Sequence, residues 1–368
     1  MGLSITVRWL TVLLSVLAIP ETPDPGEVVA GAAGTRIDTY FEALESAGFS
    51  GTVLVSRKGE ILLHKGYGLA DRGRGIACTT ETVFDIGSIT KQFTAAAILK
   101  LEMEGKLRVE DRLADHLEDV PADKNEITLH HLLTHTSGLD HAYGGDDDYA
   151  PRDLAVRLFL RMPLLTSPGE RYHYSNPGYS LLAAVVEKRS GQSYEAYLHE
   201  QFFQPLGMTK TGYLLPRWNL LEVSRNYNGE EDNGWTFNRN WGPEGPYWHL
   251  YGNGGILTTT GDLYKWEQAL MADRFLSAEA RAKLLGRHAP EGAEGRSFYG
   301  YGWRIGTTDE DVAFSGHGGG SSYGVAAAYF RFPEPGIVVL VFSNQARLPG
   351  GQGASGFTGR IAALAAAP

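Results

Sequence analysis

Phe84-Asp85-Ile86-Gly87-Ser88-Ile89-Thr90-Lys91 opens a long apolar run that continues through Gln92-Phe93-Thr94-Ala95-Ala96-Ala97-Ile98-Leu99. Residues 92–104 have helical character. Three residues make nearly one helical turn, so Ser88 and Lys91 share a face and the lysine stem can reach the hydroxyl. A serine hydroxyl is a poor nucleophile at neutral pH, and a lysine kept neutral by burial or by another cation can accept its proton. The Ser-x-x-Lys spacing alone is weak, because a chain of this composition should contain about one by chance, and a serine near a helix start is commonly a cap. Its surroundings decide.

Upstream, Ile37, Tyr40, Phe41 and Leu44 recur at helical spacing, and residues 51–55 and 61–64 flank the turn Arg57-Lys58-Gly59-Glu60. These predict a helix leading into a β-hairpin. From Ser88 to about Met208 the pattern is helix after helix, with segments at 92–104, 151–161, 178–190 and 194–203. From Gly302 onward strands return, at 323–331 and 337–343 around the turn Pro333-Glu334-Pro335-Gly336, and 356–367 closes the chain as a helix. Strands at both ends with helices between them predict an α+β fold: one antiparallel sheet completed by the two chain ends, flanked by helices, with an inserted all-helical subdomain. The expected division is residues 33–87 and 213–368 for the sheet part and 88–212 for the helical part.

With 368 residues, 43% of them hydrophobic, the chain has ample material for a packed core. A net charge of −10 without any Lys/Arg cluster argues against nucleic acid or an anionic membrane as partner. The single cysteine, Cys78, rules out an intramolecular disulfide and every cysteine-based metal site. Arg8 precedes an apolar stretch over 9–19, then a Pro-rich segment and Ala30-Gly31-Ala32-Ala33. Residues 1–32 therefore read as a secretory signal, too short for a stable membrane span, which predicts export to the periplasm or the extracellular space. Residues 216–251 hold Trp218, Trp235, Trp241 and Trp248 without a clean period, and such long loops tend to carry function; lining a substrate cleft is the expectation.

A serine hydrolase also needs a proton acceptor, donors for the developing oxyanion, and groups that orient the substrate. Pro168-Gly169-Glu170 leads into Tyr174-Ser175-Asn176-Pro177-Gly178-Tyr179, which puts a phenol and a carboxamide just before a helix. Far downstream stands His317-Gly318-Gly319-Gly320, ahead of the strand expected near Tyr323.

Ser-x-x-Lys, Tyr-x-Asn and His-x-Gly in this order resemble the serine β-lactamase and penicillin-binding protein superfamily, in its class C β-lactamase-related branch. The likeness extends to Gly51-Thr52-Val53-Leu54-Val55, Leu132-Leu133-Thr134-His135-Thr136-Ser137-Gly138 and Pro205-Leu206-Gly207-Met208. It continues through Gly254-Gly255-Ile256-Leu257-Thr258-Thr259-Thr260 and Tyr299-Gly300-Tyr301-Gly302-Trp303, and so covers nearly everything from Thr35 to Ser343. The resemblance implies that Ser88 attacks a carbonyl while Lys91 and Tyr174 share the proton transfer, with their resting protonation left open. It further implies an oxyanion hole from the backbone N–H groups of Ser88 and Gly320. Asn176, His317 and Gly319 would bind substrate, His317 supplying a hydrogen bond or positive charge to the substrate or to the Tyr174 oxygen. No metal and no cofactor are implied, and the partner is a small-molecule or peptide substrate. Histidine at the third motif, where true class C β-lactamases carry lysine, is more like D-alanyl-D-alanine carboxypeptidases, D-amino-acid peptidases and some esterases.

Each motif has a rival in the chain. Tyr251-Gly252-Asn253 is a second Tyr-x-Asn without the Pro-Gly approach, His64-Lys65-Gly66 belongs to the early hairpin, and Pro216 cuts off any long strand after Lys210-Thr211-Gly212. A metal site among His130, His131, His135, His141 and the acidic residues 146–148 lacks ligand spacing. An α/β-hydrolase elbow fails because Ile86 and Thr90 occupy its two glycine positions. Other functions remaining open are a true β-lactamase and, from another class, a non-catalytic penicillin-recognising binding protein.

Overall fold

Gly51–Arg57, near the start of the chain, pairs antiparallel with Ile337–Ser343 near its end, setting Leu54 opposite Leu340 and Val53 opposite Val341. The structure, a computed structural model, describes residues 26–238, 241, 245–292 and 295–368; most of the predicted signal segment lies outside them. Nine strands form the main sheet, in the spatial order Val28–Val29, Glu60–Tyr67, Gly51–Arg57, Ile337–Ser343, Val325–Phe332, Ala313–Ser321, Arg304–Thr307, Ser297–Tyr299 and Ala289–Pro290. Every neighbouring pair is antiparallel. The early hairpin turns through Lys58 and Gly59, both at positive φ, which matches the right-handed twist of the strands it joins.

Strand alternation gives the sheet two apolar faces. Val53, Val55, Val339 and Val341 pack with Ile37, Phe41, Phe357 and Ile361 of the helices Gly31–Ser46 and Ser355–Ala366, so both chain ends cover one face. Leu54, Leu340, Phe342 and Tyr329 join a larger core on the other face, built with the helical part. At the heart of that part runs the helix Thr90–Met103, buried continuously from Thr90 to Leu99 and again at Leu101. It is buried all round because the helices Asn176–Ser190 and Ala278–Leu284 pack against it. Its burial carries Lys91 into the interior.

The strands at 289–321 were not evident in the sequence. His317-Gly318-Gly319-Gly320 lies inside the strand Ala313–Ser321, whereas the sequence placed it in a glycine-rich turn before a strand at 323. At two of its glycines other atoms fill the side-chain space: a Cβ on Gly319 would overlap the Ile86 carbonyl oxygen, and one on Gly318 would overlap Ser355 Oγ. Gly319→Ala is therefore expected to lose at least about 2 kcal/mol of stability, because backbone rather than a movable side chain stands in the way. A denaturant midpoint unchanged from wild type would contradict that packing.

Residues 213–288, assigned above to the sheet part, supply none of its nine strands among the described residues. Instead the helix Thr260–Met271 packs on Gly51–Arg57 and Ile337–Ser343, while Ala278–Leu284 packs on the central helix. The boundary expected at residue 32 falls in the first turn of the helix Gly31–Ser46, behind Val28 and Val29, which already pair with His64 and Leu63. Among the described residues no helix is long and apolar enough to cross a membrane.

Candidate active site

Ser88 sits in a single 3₁₀ turn, Gly87–Ile89, that feeds directly into the central helix. The turn is anchored by Asp85, whose Oδ1 accepts from Gly87 N at 2.7 Å and whose Oδ2 accepts from Thr236 Oγ1 at 3.1 Å. Lys91, fully buried, places Nζ 3.2 Å from Ser88 Oγ, 2.9 Å from Asn176 Oδ1 and 2.7 Å from the Asn253 carbonyl oxygen. Burial pushes the Lys91 amine well below the usual lysine range, against the opposing charge of Asp146. The two carbonyl oxygens can only accept, so they take two N–H groups of Nζ. In the neutral amine the remaining position is a lone pair, and it faces Ser88 Oγ.

Tyr174 and Asn176 enter from the start of the helix Asn176–Ser190, which Ser175 caps by accepting from Gly178 N at 3.3 Å, with Pro177 in the first turn. Lys91 Nζ lies 4.8 Å from the Tyr174 ring centroid. Burial raises the Tyr174 phenol above the usual tyrosine range, with the nearby Ser88 hydroxyl lowering it only in part. The phenol is therefore neutral at ordinary pH. Asn176 spends Oδ1 on Lys91, leaving its amide N–H groups as donors.

His317 departs from expectation. Its Nδ1 lies 2.6 Å from the Gly318 carbonyl oxygen, which can only accept, so Nδ1 carries the proton and Nε2 accepts from the Tyr299 hydroxyl at 3.0 Å. Burial and then the Lys91 charge pull its pKa down to about 3. Of the hydrogen bond or positive charge expected of it, a neutral imidazole leaves the hydrogen bond, and both its nitrogens are engaged elsewhere than at the Tyr174 oxygen. Gly319 closes the strand onto the nucleophile turn: a Cβ there would come 3.1 Å from Ser88 N, and one on Gly87 would come 2.8 Å from Gly320 N. The two backbone N–H groups expected to face an oxyanion are consequently near neighbours.

Ser88, Tyr172, Tyr174, Tyr299, His317, Gly318 and Ser355 line a cavity of about 430 Å³, together with Glu291 and Arg304. Glu291 takes Arg304 Nε with both carboxylate oxygens at 3.0 Å and also accepts from Tyr172 and from Ser297. The terminal amino groups of Arg304 are not used by that pair. Sequence reasoning gave no site role to Arg304, Glu291 or Tyr299: Arg304 and Tyr299 lie on short strands, Glu291 directly follows one, and Tyr299 was quoted only as part of the resemblance.

The rival motifs separate cleanly. Lys210 pairs with Glu81 and Glu222 at 3.1 and 2.9 Å, and Thr211 bonds Asp262, so that lysine serves packing away from Ser88. His64 lies in the hairpin strand beside Thr260 Oγ1 at 2.9 Å. The second Tyr-x-Asn contributes after all, through the Asn253 backbone carbonyl at Lys91, while its side chain donates to Ser180 Oγ and the His249 carbonyl oxygen. The Trp-rich loop supports the site instead of lining this cavity, whose described lining includes no tryptophan. Its Thr236, held by Asn226 Nδ2 at 2.8 Å, steadies Asp85, while Trp235 stacks under Arg225 at 4.5 Å.

Comparison with known proteins shows the family and the fold. The chain is 32% identical over 313 residues to the putative penicillin-binding protein PbpX of Bacillus subtilis (strain 168), an alignment covering 84% of this chain and 73% of the relative. A penicillin-binding protein structure from Bacillus halodurans superposes with a TM-score of 0.75 at 28% identity, covering 91% of this chain and all of the other. A D-amino acid amidase from Ochrobactrum anthropi SV3 shares the fold, with a TM-score of 0.73 at 22% identity over 86% of this chain and 92% of that one. The beta-lactamase family model matches residues 27–360, nearly the whole described chain, and the protein belongs to that family.

Proposed function

We propose that the protein is a serine hydrolase that cleaves an amide or ester through an acyl-enzyme on Ser88, with a leaving group that carries a carboxylate, as in carboxypeptidase action on a D-amino peptide. The observation that carries the hydrolase reading is the placement of Lys91 Nζ: two obligatory acceptors hold it, and its third direction points at Ser88 Oγ, 3.2 Å away. Neutral Lys91 takes the Ser88 proton as Oγ adds to the carbonyl carbon, and the N–H groups of Ser88 and Gly320 receive the oxyanion. When the intermediate collapses, the Tyr174 phenol protonates the leaving group and recovers a proton from the Lys91 ammonium. Water then repeats the sequence in reverse on the acyl-enzyme. This choice of Lys91 as base and Tyr174 as acid follows from burial, which favours the neutral form of each. Asn176 presents its amide N–H groups to the acyl side.

The carboxylate preference rests on Arg304 in the cavity beside Ser88 and His317. Arg304→Gln is expected to raise KM for a D-alanyl-D-alanine peptide by about 10- to 100-fold, the weight of a charge-assisted hydrogen bond, with p-nitrophenyl butyrate hydrolysis nearly unchanged. An equal loss on both substrates would remove the carboxylate assignment. The relatives named as penicillin-binding proteins suggest one more probe: a β-lactam should add its acyl mass to Ser88. A rate panel of nitrocefin, p-nitrophenyl butyrate and the peptide separates carboxypeptidase, esterase and β-lactamase activities, and absence of turnover on all three would favour a non-catalytic binding protein.

A further inference from the structure

His135 takes no part in the chemistry above, yet it is fully buried and its backbone is left-handed, with φ of 58°. Its Nδ1 accepts from Ser175 N at 3.1 Å, and its backbone carbonyl accepts from His173 N at 2.7 Å. Those two N–H groups bracket Tyr174. Between them the phenol ring lies on the imidazole, with centroids 4.2 Å apart and planes tilted by 37°. Tyr299 and Tyr179 close the same imidazole at 4.5 and 5.0 Å.

Because Nδ1 accepts, the ring proton sits on Nε2, which finds no hydrogen-bond acceptor among the described residues. Burial above all keeps the ring neutral, with the Lys91 charge acting in the same direction. A left-handed non-glycine backbone and an unmatched buried donor are both unfavourable, and such residues persist where the surroundings impose them, commonly at functional sites. Beyond the neighbouring Ser88 hydroxyl, the Tyr174 hydroxyl has no polar partner among the described residues. No polar group behind the ring therefore aims it, and its direction comes from the packing of the ring and the pinning of the N–H groups of His173 and Ser175 on either side.

We propose that His135 is a positioning residue for Tyr174: its imidazole is the platform for the phenol, and its Nδ1 and carbonyl pin the adjoining N–H groups, so that the hydroxyl is held toward Ser88. The inference rests on Tyr174 acting in proton transfer. Asparagine tolerates left-handed backbone and offers Oδ1 near the position of Nδ1, so His135→Asn keeps the Ser175 bond and removes only the platform.

The test is a mutant cycle read by intact mass, following acylation of Ser88 by a β-lactam, whose ring nitrogen must take a proton as it leaves, in wild type, His135→Asn, Tyr174→Phe and the double variant, with thermal unfolding of each as the control for folding. His135→Asn is expected to lower the saturating acylation rate by about 10- to 100-fold, the scale of a misplaced catalytic group, with little change in the half-saturating probe concentration. In the Tyr174→Phe background it should lower the rate no further. Equal slowing in both backgrounds, or a wild-type rate for His135→Asn, would overturn the inference while leaving the hydrolase reading intact. Absence of any Ser88 adduct in wild type would instead overturn the hydrolase reading, and this inference with it.

Discussion

Ser88→Ala is expected to lower turnover by at least about 10⁴-fold and to abolish any covalent adduct with a β-lactam or fluorophosphonate, because no second hydroxyl stands where Lys91 can activate it. Among the described residues, Lys91 Nζ is hydrogen-bonded to the Ser88 hydroxyl and otherwise to two carbonyl oxygens. Removing Oγ leaves the amine its two carbonyl partners, so the fold should be little disturbed. A stability change within about 1 kcal/mol is anticipated for so small a truncation at a half-buried position. Intact mass spectrometry on wild type and variant decides the matter. An adduct that persists in Ser88→Ala would move the nucleophile elsewhere and dismantle the assignment.

The second large effect is expected for Lys91→Met, an unbranched side chain of similar length that preserves packing and removes the proton acceptor. Acylation should slow by about 10³-fold or more, as for loss of an activating base. The pH dependence of the wild-type enzyme carries the same information. Burial lowers the folded-state pKa of Lys91, so the neutral, accepting amine prevails above that pKa and is lost as pH falls through it. Acylation should thus rise with pH along an acid limb that Lys91→Met lacks. The stability sign is separate: the unfolded chain binds the proton more readily, so this residue destabilises the fold at neutral pH and does so less as pH rises toward the ordinary lysine range. An acid limb of equal midpoint in wild type and Lys91→Met would assign that titration to another group. His317, held at about 3, is too low to produce a limb near neutrality.

The helices and the early hairpin were readable because their signals are local. Apolar residues at a 3.6 period, Ser175 with Pro177 at a helix start, and Lys58-Gly59 at a turn all act within a few residues of chain. Ser88 and Lys91 belong to that class, since one helical turn sets their separation. Tyr174 and Asn176 were placed by their motif at a helix start. The strands at 289–290, 297–299, 304–307 and 313–321 are two to nine residues long. The longest carries glycines where side chains would alternate, and its strand character comes from pairing with Arg304–Thr307 and Val325–Phe332 rather than from its own pattern.

Local order in the sequence thus set the chain-end sheet, the inserted helices and the pairing of nucleophile with lysine, because each depends on spacing along one element. The tertiary structure alone decided that Asn253 would offer Lys91 a carbonyl, that His317 would be neutral and bound to Tyr299, and that Arg304 with Glu291 would share the Ser88 cavity. These facts depend on strand register and on depth of burial. Register is set by pairing between distant segments, and burial shifts a proton equilibrium only once the whole core has closed around the group.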